Sequence, residues 1–334
     1  MSRLTAIRLF QRTGRAPSKQ PGWATLCKYR ARSMSNASPV IDVPELAAII
    51  GADAVYLKFE GVHPTGTHKH RAARSVIRHA VRSQFAVVTV GSCGNYGAAI
   101  AFEAAASRAS CHVFVPSNYA RSRTAEMLEY GAEVHFVEGT YEDAVASSRE
   151  FAVQSGAYDC NASGFADDLI LRSYRAIAAE LHEQVHGITA VWVPVGDGTT
   201  ITGIYEGFRA KNKVARMYAV SSAGNNAACA SVAAGMVVEL QPADICPTSF
   251  NEPLISWRSA HAEDVVRLVR ESGGGAIEVT DAQLSDAASQ LSSFAAINSW
   301  PAGAAGLAGL IAAPAHLRTG RHAIVVTAAK NESP

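Results

Sequence analysis

The chain lacks any apolar run near the roughly 20 residues that a membrane-spanning helix needs, so the sequence predicts no membrane span. It also lacks net charge: 30 basic residues stand against 29 acidic ones, and a formal charge of +1 gives no field to attract nucleic acid or an anionic membrane. The six cysteines include no CxxC pair and no histidine at ligand spacing, which argues against a disulfide framework or a structural zinc site. We therefore expect a cytoplasmic protein without a metal site, whose partners are small molecules or another copy of itself.

Acidic residues are missing from the first forty positions, although arginines, lysines and serines recur there. This composition is typical of a transit peptide for import into an organelle. The alternative is a basic arm that lies on the protein or on a neighbouring subunit. We assign residues 1–34 to such an arm or leader and leave both possibilities open.

Short, valine-rich apolar runs alternate with helix-like segments along the rest of the chain. The runs are residues 86–90, 112–116, 133–137, 190–195, 216–222 and 322–327. Short buried strands that alternate with helices predict a parallel sheet covered on both faces, and therefore the α/β class. Because the runs fall into two groups joined by a helix at 168–185, we expect two doubly wound parallel-sheet lobes with a cleft between them. The larger lobe is placed at 35–80 plus 175–334 and the smaller at 81–174.

Glycine-containing turns follow two of the predicted strands. The string SCGNY, residues 92–96, comes after the first strand, and GDGTT, residues 196–200, comes after the fourth. Ligands bind at the carboxyl ends of parallel strands, and such turns expose backbone N–H groups that hold anions. No Gly-Lys-Ser/Thr follows and GxGxxG is matched only in part, so a nucleotide-binding oxidoreductase is a weaker alternative.

Lys69 lies in the string HPTGTHKHR, where a Pro-Thr-Gly turn precedes what is predicted to be a helix start. This placement suggests a Schiff base with pyridoxal 5′-phosphate (PLP), although an isolated lysine after a turn is ordinarily a solvated surface residue. A lysine condenses with an aldehyde only when its amine is unprotonated, so its pKa has to be lowered by burial or by nearby positive charge. We expect His68, His70 and Arg71 to supply that charge.

Taken in order, these strings resemble the motifs of the fold-type II family of PLP enzymes, and within it the threonine synthase-like branch. The resemblance extends over residues 35–330 and implies a homodimer. It implies that Lys69 carries the cofactor and removes the substrate α proton. The remaining cofactor contacts that it implies are Asn95, Gly196, Asp197, Gly198, Thr199, Thr200 and Thr327. The substrate contacts that it implies are Ser92, Cys93, Tyr96, Thr67 and Ser38.

The activity implied by this resemblance is that of a PLP-dependent lyase or synthase performing β- or γ-elimination or replacement on an amino acid, in the manner of a threonine synthase. Alternatives are a cysteine or cysteate synthase-like β-replacement enzyme, a serine/threonine dehydratase, and a PLP-binding homologue without turnover of its own. The absence of a long segment after Thr327 weakens a dehydratase with a regulatory domain.

The chain also departs from the family pattern. Thr67 and His68 replace Ser-Phe before the lysine, and His70 replaces the usual aspartate. Threonine synthases hold the phosphate of phosphohomoserine with basic residues, and Arg172 and Arg175 are the candidates to substitute for those that are missing here. Asp167 and Asp168 would oppose an anion, so a solvated helix face is the favoured alternative for both arginines.

Overall fold

The computed structural model describes residues 37–117, 123–162, 164–212 and 215–329. The basic arm predicted at 1–34 lies outside these residues. The described chain forms two sheets, with six strands in the larger and four in the smaller.

The larger sheet is parallel except at one edge, where β1 runs antiparallel to β2. In spatial order its strands are β1 (Val40–Asp42), β2 (Ala54–Phe59), β10 (Arg321–Val326), β7 (Ala190–Pro194), β8 (Arg216–Ser222) and β9 (Gly275–Val279). The central strand β7 is buried along its whole length. Continuous burial of this kind is expected when helices cover both faces of a parallel sheet.

The smaller sheet is parallel throughout. Its strands in spatial order are β5 (Glu133–Val137), β4 (Ser110–Pro116), β3 (Val87–Gly91) and β6 (Tyr158–Asp159). β5 is therefore an edge strand. The predicted α/β class with parallel sheets is confirmed.

Helices connect most of the strands and cover the sheets. They are α1 (Pro44–Ile50), α2 (Lys69–Arg82), α3 (Asn95–Ser107), α4 (Thr124–Glu129), α5 (Tyr141–Ser155), α6 (Asp167–Gln184), α7 (Thr199–Ala210), α8 (Ala227–Ala234), α9 (Ala262–Ser272), α10 (Asp281–Ala295), α11 (Ala305–Ala312) and α12 (Ala315–Arg318). No helix among the described residues is long and apolar enough to span a membrane.

Local sequence accounts for the ends of α5. Thr140 and Asp143 form a capping box, in which each side chain accepts a hydrogen bond from the backbone N–H of the other residue. Gly156 follows the last turn with φ +68°, a left-handed conformation that glycine adopts without steric cost. Both ends of α5, the helix that connects β5 to β6, are thus determined by residues next to it in the sequence.

The core of the molecule is shared by the two sheets. One hydrophobic cluster contains Val88 and Val113 from the smaller sheet, Val191 from the larger, and Ile177 from α6. A second cluster fills the opposite face of the larger sheet, where the rings of Trp192 and Tyr218 stack with centroids 4.0 Å apart. The helices between the sheets thus hold the strand-end loops of both sheets in fixed positions.

Candidate active site

Lys69 is the first residue of α2 and follows a turn in which Gly66 has φ +71°. The Thr67 hydroxyl accepts a hydrogen bond from the Lys69 backbone N–H at 3.1 Å and so satisfies one of the free donors at the helix start. The Lys69 amine lies 5.8 Å from the ring centre of Tyr174 on α6. Thr67 thus orients the helix start, while the Lys69 side chain extends toward Tyr174.

The surroundings of Lys69 do not lower the basicity of its amine. Burial alone would lower the pKa of Lys69, but the nearby Tyr174 and the Asp197 carboxylate outweigh it and raise the pKa. The expectation of positive charge is wrong for the two flanking histidines, whereas Arg71 is charged but paired with acidic residues. Burial, together with charged neighbours, lowers the pKa of both His68 and His70 to about 3, so both rings are neutral at pH 7.

His68 lies beside the two strand-end loops of the larger sheet. Its Nδ1 is 3.2 Å from the Thr327 carbonyl oxygen, and its Nε2 is 3.1 Å from the Thr200 hydroxyl oxygen. Because a carbonyl oxygen only accepts, Nδ1 carries the proton in this neutral ring, and Nε2 accepts from the Thr200 hydroxyl. The ring centre also lies 5.4 Å from that of Tyr174. The His68 ring therefore connects the lysine turn to Thr200 and to Thr327.

His70 lies on the side of α2 that faces α3. Its Nε2 is 3.2 Å from a Glu103 carboxylate oxygen, and its ring centre is 5.6 Å from that of Phe102. The imidazole that replaces the family aspartate thus contributes to helix packing.

Arg71 belongs to a buried ionic network behind the helix start. Its guanidinium contacts Glu60 at 2.6 Å and Glu180 at 2.7 Å, and the Lys58 amine contacts Glu180 at 2.6 Å. The Ser38 hydroxyl donates to Glu60 at 2.5 Å, and Ser38 is only 1% exposed. This placement argues against the substrate contact expected of Ser38, because its hydroxyl is buried within the network.

The turn between β7 and α7 offers the donors that a phosphate group requires. A Cβ atom on Gly196 would lie 2.8 Å from the Pro253 carbonyl oxygen, and one on Gly198, which has φ +89°, would lie 2.6 Å from Val265 Cγ2. Both positions thus require glycine. The Asn226 side chain holds the turn by donating to the Gly196 carbonyl oxygen at 2.8 Å. The turn therefore places its backbone N–H groups at the start of a 12-residue helix, where anions bind.

A buried hydroxyl in the same turn lacks a partner. Among the described residues, the Thr199 Oγ1 atom has no hydrogen bond. A buried hydroxyl without a partner is costly, and a bound phosphate oxygen would accept from it. The turn and this hydroxyl together fit the phosphate of PLP.

Asp197 and His261 form a pair of opposite charges beside this turn. Burial would raise the pKa of Asp197, but the charges of Lys69 and His261 lower it, so the carboxylate is ionised. Burial would lower the pKa of His261, but Asp167 and Asp197 raise it to about 9. Its ring nitrogens lie 3.3 Å from Asp167 and 3.3 Å from Asp264.

The loop after β3 is held by its own hydrogen bonds. The Ser92 hydroxyl accepts from the Gly97 backbone N–H at 3.0 Å, and the Tyr96 hydroxyl donates to the Cys160 carbonyl oxygen at 2.7 Å. Asn95 is half-buried at the first position of α3. Within the described chain, neither Asn95 nor Cys93 is hydrogen-bonded to Lys69 or its neighbours. Through His68 and Tyr174, the structure joins residues 67–69, the 196–200 turn and Thr327. Burial raises the pKa of Tyr96, and Tyr174 raises it further, so the 92–96 loop lies near the same group.

The two arginines considered for a substrate phosphate are engaged elsewhere. Arg172 pairs with Asp168 at 2.7 Å in an exposed position on α6, and Arg175 pairs with Glu206 at 2.8 Å in a partly exposed one. The favoured alternative, a solvated helix face, therefore agrees with these contacts. Arg123 instead donates to the Thr65 carbonyl oxygen at 3.1 Å, in the turn just before Lys69.

Unsatisfied polar atoms surround this arginine. Among the described residues, the buried Nε of Arg123 and the hydroxyls of Thr65 and Thr124 make no hydrogen bond. Arg123 also pairs with Glu126 at 3.0 Å, and burial raises the pKa of Glu126. Within the described part of the chain, Glu126 Oε2 is also buried without a hydrogen bond, so this group of polar atoms holds one acceptor as well as three donors.

Sequence patterns did not indicate Tyr174, His261 or Arg123 as site residues in these places. Tyr174 lies within a helix, and the other two follow no predicted strand, so strand-end inspection misses them. Tyr174 and Arg123 stand between polar residues in the sequence, and His261 stands between alanines, so none of the three differs from an ordinary surface position.

The comparisons with known proteins agree with this fold and site. A model of the family described as "Pyridoxal-phosphate dependent enzyme" matches residues 34–328. The threonine synthase of Methanosarcina acetivorans is 28% identical over 82% of this chain and 68% of its own length. The L-threo-3-hydroxyaspartate ammonia-lyase of a Pseudomonas species is 26% identical over 89% of this chain and 91% of its own length.

Solved structures give the same fold. The serine racemase of Dictyostelium discoideum superposes with a TM-score of 0.76 at 19% identity, over 93% of this chain and 98% of that one. The match to the family model over residues 34–328 covers most of the sequence and confirms both the family and the cofactor expected from the motifs. The chain therefore belongs to the family of pyridoxal-phosphate dependent enzymes, and its cofactor is pyridoxal 5′-phosphate.

Proposed function

We propose that this PLP-dependent lyase or synthase carries its cofactor on Lys69 and performs a threonine synthase-like elimination or replacement on an amino acid with an anionic side-chain group. The observation that carries the proposal is the position of Lys69, at a helix start beside Tyr174 and the 196–200 turn. The elimination and replacement chemistry expected from the motifs agrees with the synthase and ammonia-lyase relatives.

Bound PLP acts as the electron sink that makes the α proton of an amino acid removable. Lys69 would hold the cofactor through its amine, and the same amine would serve as the base for the α proton. The 196–200 turn and the Thr199 hydroxyl would hold the phosphate. Thr327, which follows β10, and Asn95 would hold the ring, as the family resemblance implies.

The 92–96 loop is proposed to bind the substrate α-carboxylate through its backbone. Ser92 accepts from Gly97, which holds the loop against the start of α3 and leaves the remaining N–H groups for an anion. Thr67 lies next to the reacting lysine and lines the same site.

The polar atoms around Arg123 support a substrate with a second negative charge. Arg123 reaches the turn that carries Lys69, and its Nε and the hydroxyls of Thr65 and Thr124 lack hydrogen bonds among the described residues. A phosphate or a second carboxylate would satisfy these donors, and a charge-assisted hydrogen bond contributes about 1.5–3 kcal/mol. Phosphohomoserine, O-phosphoserine and 3-hydroxyaspartate carry such groups, whereas serine, threonine and O-acetylserine do not.

The visible spectrum of the purified, cofactor-loaded protein tests the assignment of Lys69. We expect a yellow protein whose cofactor becomes covalently attached to Lys69 on borohydride reduction, as located by peptide mass mapping. Attachment to another lysine would exclude this role of Lys69. A colourless protein that takes up no added PLP would exclude the whole proposal.

A screen of the six amino acids named above tests the substrate. We expect a spectral change with those that carry a second anion, and Arg123→Gln raises their KM about tenfold to a hundredfold because one charge-assisted bond is lost. Arg172→Gln is the matched control, since Arg172 is exposed and paired with Asp168.

Each other outcome of the screen has a defined meaning. If phosphohomoserine changes neither the spectrum nor phosphate release, the chain is not a threonine synthase. A response to O-acetylserine alone favours a cysteine synthase-like enzyme, and one to serine and threonine alone favours a dehydratase. No response to any of them, with the cofactor bound to Lys69, favours a PLP-binding homologue without turnover.

A homodimer and a cytoplasmic location remain proposals that rest on the family resemblance and on composition. The molar mass in solution from light scattering tests the first. The mass of the chain purified from its native host tests the second, because import would remove a leader from residues 1–34.

A further inference from the structure

Three side chains with metal-binding atoms meet at the edge of the smaller sheet. His112 lies on β4, and His135 and Glu133 lie on the neighbouring edge strand β5. Their donor atoms all lie within 4.8 Å of one another. Residues 112 and 135 are far apart in the sequence, which is why spacing along the chain does not reveal the group.

The register of the two strands produces this meeting. His112 is directly opposite Glu133, and Phe114 is opposite His135, two residues further along each strand. Because side chains alternate between the two faces of a sheet, all four project from the same face. Val113 and Val115, which alternate with them on β4, are fully buried on the other face.

The distances are close to those of a metal site. His112 Nδ1 is 3.0 Å from His135 Nε2, and each nitrogen is 3.6 Å from an oxygen of the Glu133 carboxylate. Two imidazole nitrogens on one tetrahedral zinc ion, each about 2.0–2.1 Å from it, are separated by roughly 3.3 Å. A bound ion would replace the hydrogen bond between these two nitrogens, and the two rings, whose centres are 5.3 Å apart, would turn so that both lone pairs meet at the ion.

Aromatic side chains hold both imidazoles in place. The ring of His135 stacks on that of Phe114 at 4.5 Å, and the ring of His112 lies 4.4 Å from that of Phe151 on α5, so aromatic walls restrict both imidazoles. Metal coordination requires neutral imidazoles. Glu133 is 62% exposed, so the open side of the site faces solvent.

We propose that His112, His135 and Glu133 form a binding site for a divalent transition metal ion, with water completing the coordination. Two imidazoles and one carboxylate suit zinc. His112 lies four residues before the carboxyl end of β4, which is about 13 Å along a strand. The ion is thus distinct from the cofactor site, and it cross-links the edge strand β5 to β4.

Zinc titration of the cofactor-loaded, chelator-treated full chain tests this proposal. We expect one zinc ion per chain at this site by calorimetry. The unfolding midpoint rises by about 2 °C for each tenfold increase of zinc above saturation, because the ion binds the folded state. Cobalt(II) in place of zinc gives visible d–d absorption bands that report tetrahedral nitrogen and oxygen ligands.

The variants His135→Gln and Glu133→Gln separate this site from other zinc sites. We expect each to weaken zinc binding at least about tenfold, since even the loss of a second-shell partner costs about 10–100-fold. His316→Gln, at an exposed position on α12, is the control and binds zinc as the unmodified chain does. Glu133 is exposed, so its variant remains folded if His135→Gln does not.

The opposite results would exclude the site. An unmodified chain with no zinc-dependent change in midpoint and no cobalt bands has no such site. Equal zinc affinity in the unmodified chain and in Glu133→Gln and His135→Gln would assign the binding to other residues.

Discussion

At the scale of single residues, the charge states of a few buried side chains determine what the site can bind. His68 is neutral and donates from Nδ1 to Thr327, so its Nε2 uses the only proton of the Thr200 hydroxyl. Thr200 therefore cannot donate to a phosphate while His68 keeps this tautomer. Phosphate binding through Thr199 needs no such change, because the Thr199 hydroxyl is free of partners among the described residues.

His261 predicts how stability depends on pH. Its pKa is raised from 6.5 to about 9 in the folded chain, chiefly by Asp167 and Asp197 against the opposing effect of burial. A raised pKa stabilises the fold fully below pH 6.5, and this contribution is lost as the pH rises through about 9. The contribution is at most about 3 kcal/mol, since one unit of pKa corresponds to about 1.4 kcal/mol.

Urea unfolding between pH 6 and pH 10 measures this effect in His261→Gln and in the unmodified, cofactor-loaded chain. We expect the variant to be less stable at pH 6, with a difference that shrinks toward pH 10. His316→Gln is the control and shows a difference that does not vary with pH. A constant difference for His261→Gln as well would contradict the charge assignment.

The sequence indicates which residues lie near the site, but it does not reveal which other residues they contact. The string HPTGTHKHR pointed to Lys69 as the residue of interest, and the structure places it at a helix start beside the predicted turn. The roles of His68, His70 and Arg71 were misjudged because neighbours in a helix project in different directions. His70 faces α3, and Arg71 faces Glu60 and Glu180.

At the scale of elements, short valine-rich runs predicted strands well. The runs at 133–137 and 216–222 match β5 and β8 at both ends, and the helix predicted at 168–185 matches α6 to within one residue. β2 was not predicted, because Lys58 interrupts its apolar run. In the fold that lysine is buried by its ion pair with Glu180, a partner distant in the sequence. β9 begins with glycine and contains Glu278, so it too lacks a strand pattern.

The turn between β7 and α7 predicts the effect of adding one methyl group. Gly198→Ala combines left-handed strain at φ +89° with a contact of 2.6 Å to Val265 Cγ2. Strain of this kind costs about 1–3 kcal/mol and overpacking costs a similar amount, so we expect a loss of about 2–4 kcal/mol and weaker binding of PLP. Urea unfolding and a PLP absorbance titration measure the two effects.

Gly235→Ala is the matched control for this change. Gly235 has φ +70°, but a Cβ atom there would meet nothing within 4 Å. It should lose only the strain contribution, about 1 kcal/mol, with PLP affinity unchanged. Equal effects of the two substitutions on PLP affinity would show that the shape of the 196–198 turn is unimportant for the cofactor.

At the scale of the whole molecule, the described chain forms two separate sheets, but one hydrophobic cluster contains residues of both. The boundaries predicted at 80/81 and 174/175 remain predictions, because Ile177 and Val113 belong to one continuous hydrophobic cluster. Apolar periodicity indicates which residues are buried but does not say which sheet they cover. The packing of α2, α3, α6 and α7 between the sheets is therefore information that only tertiary contacts supply.

The ionic network behind Lys69 has an electrical consequence. Lys58 and Arg71 carry two positive charges, and Glu60 and Glu180 carry two negative ones, so their sum is zero. The electrostatic potential of a group of charges that sums to zero falls off steeply with distance. An isolated arginine beside Lys69 would instead change the pKa of the lysine amine strongly. The start of α2 is thus fixed by strong ionic contacts that barely alter the acidity of the lysine amine. The protonation of Lys69 is left to Asp197, Tyr174 and the cofactor itself.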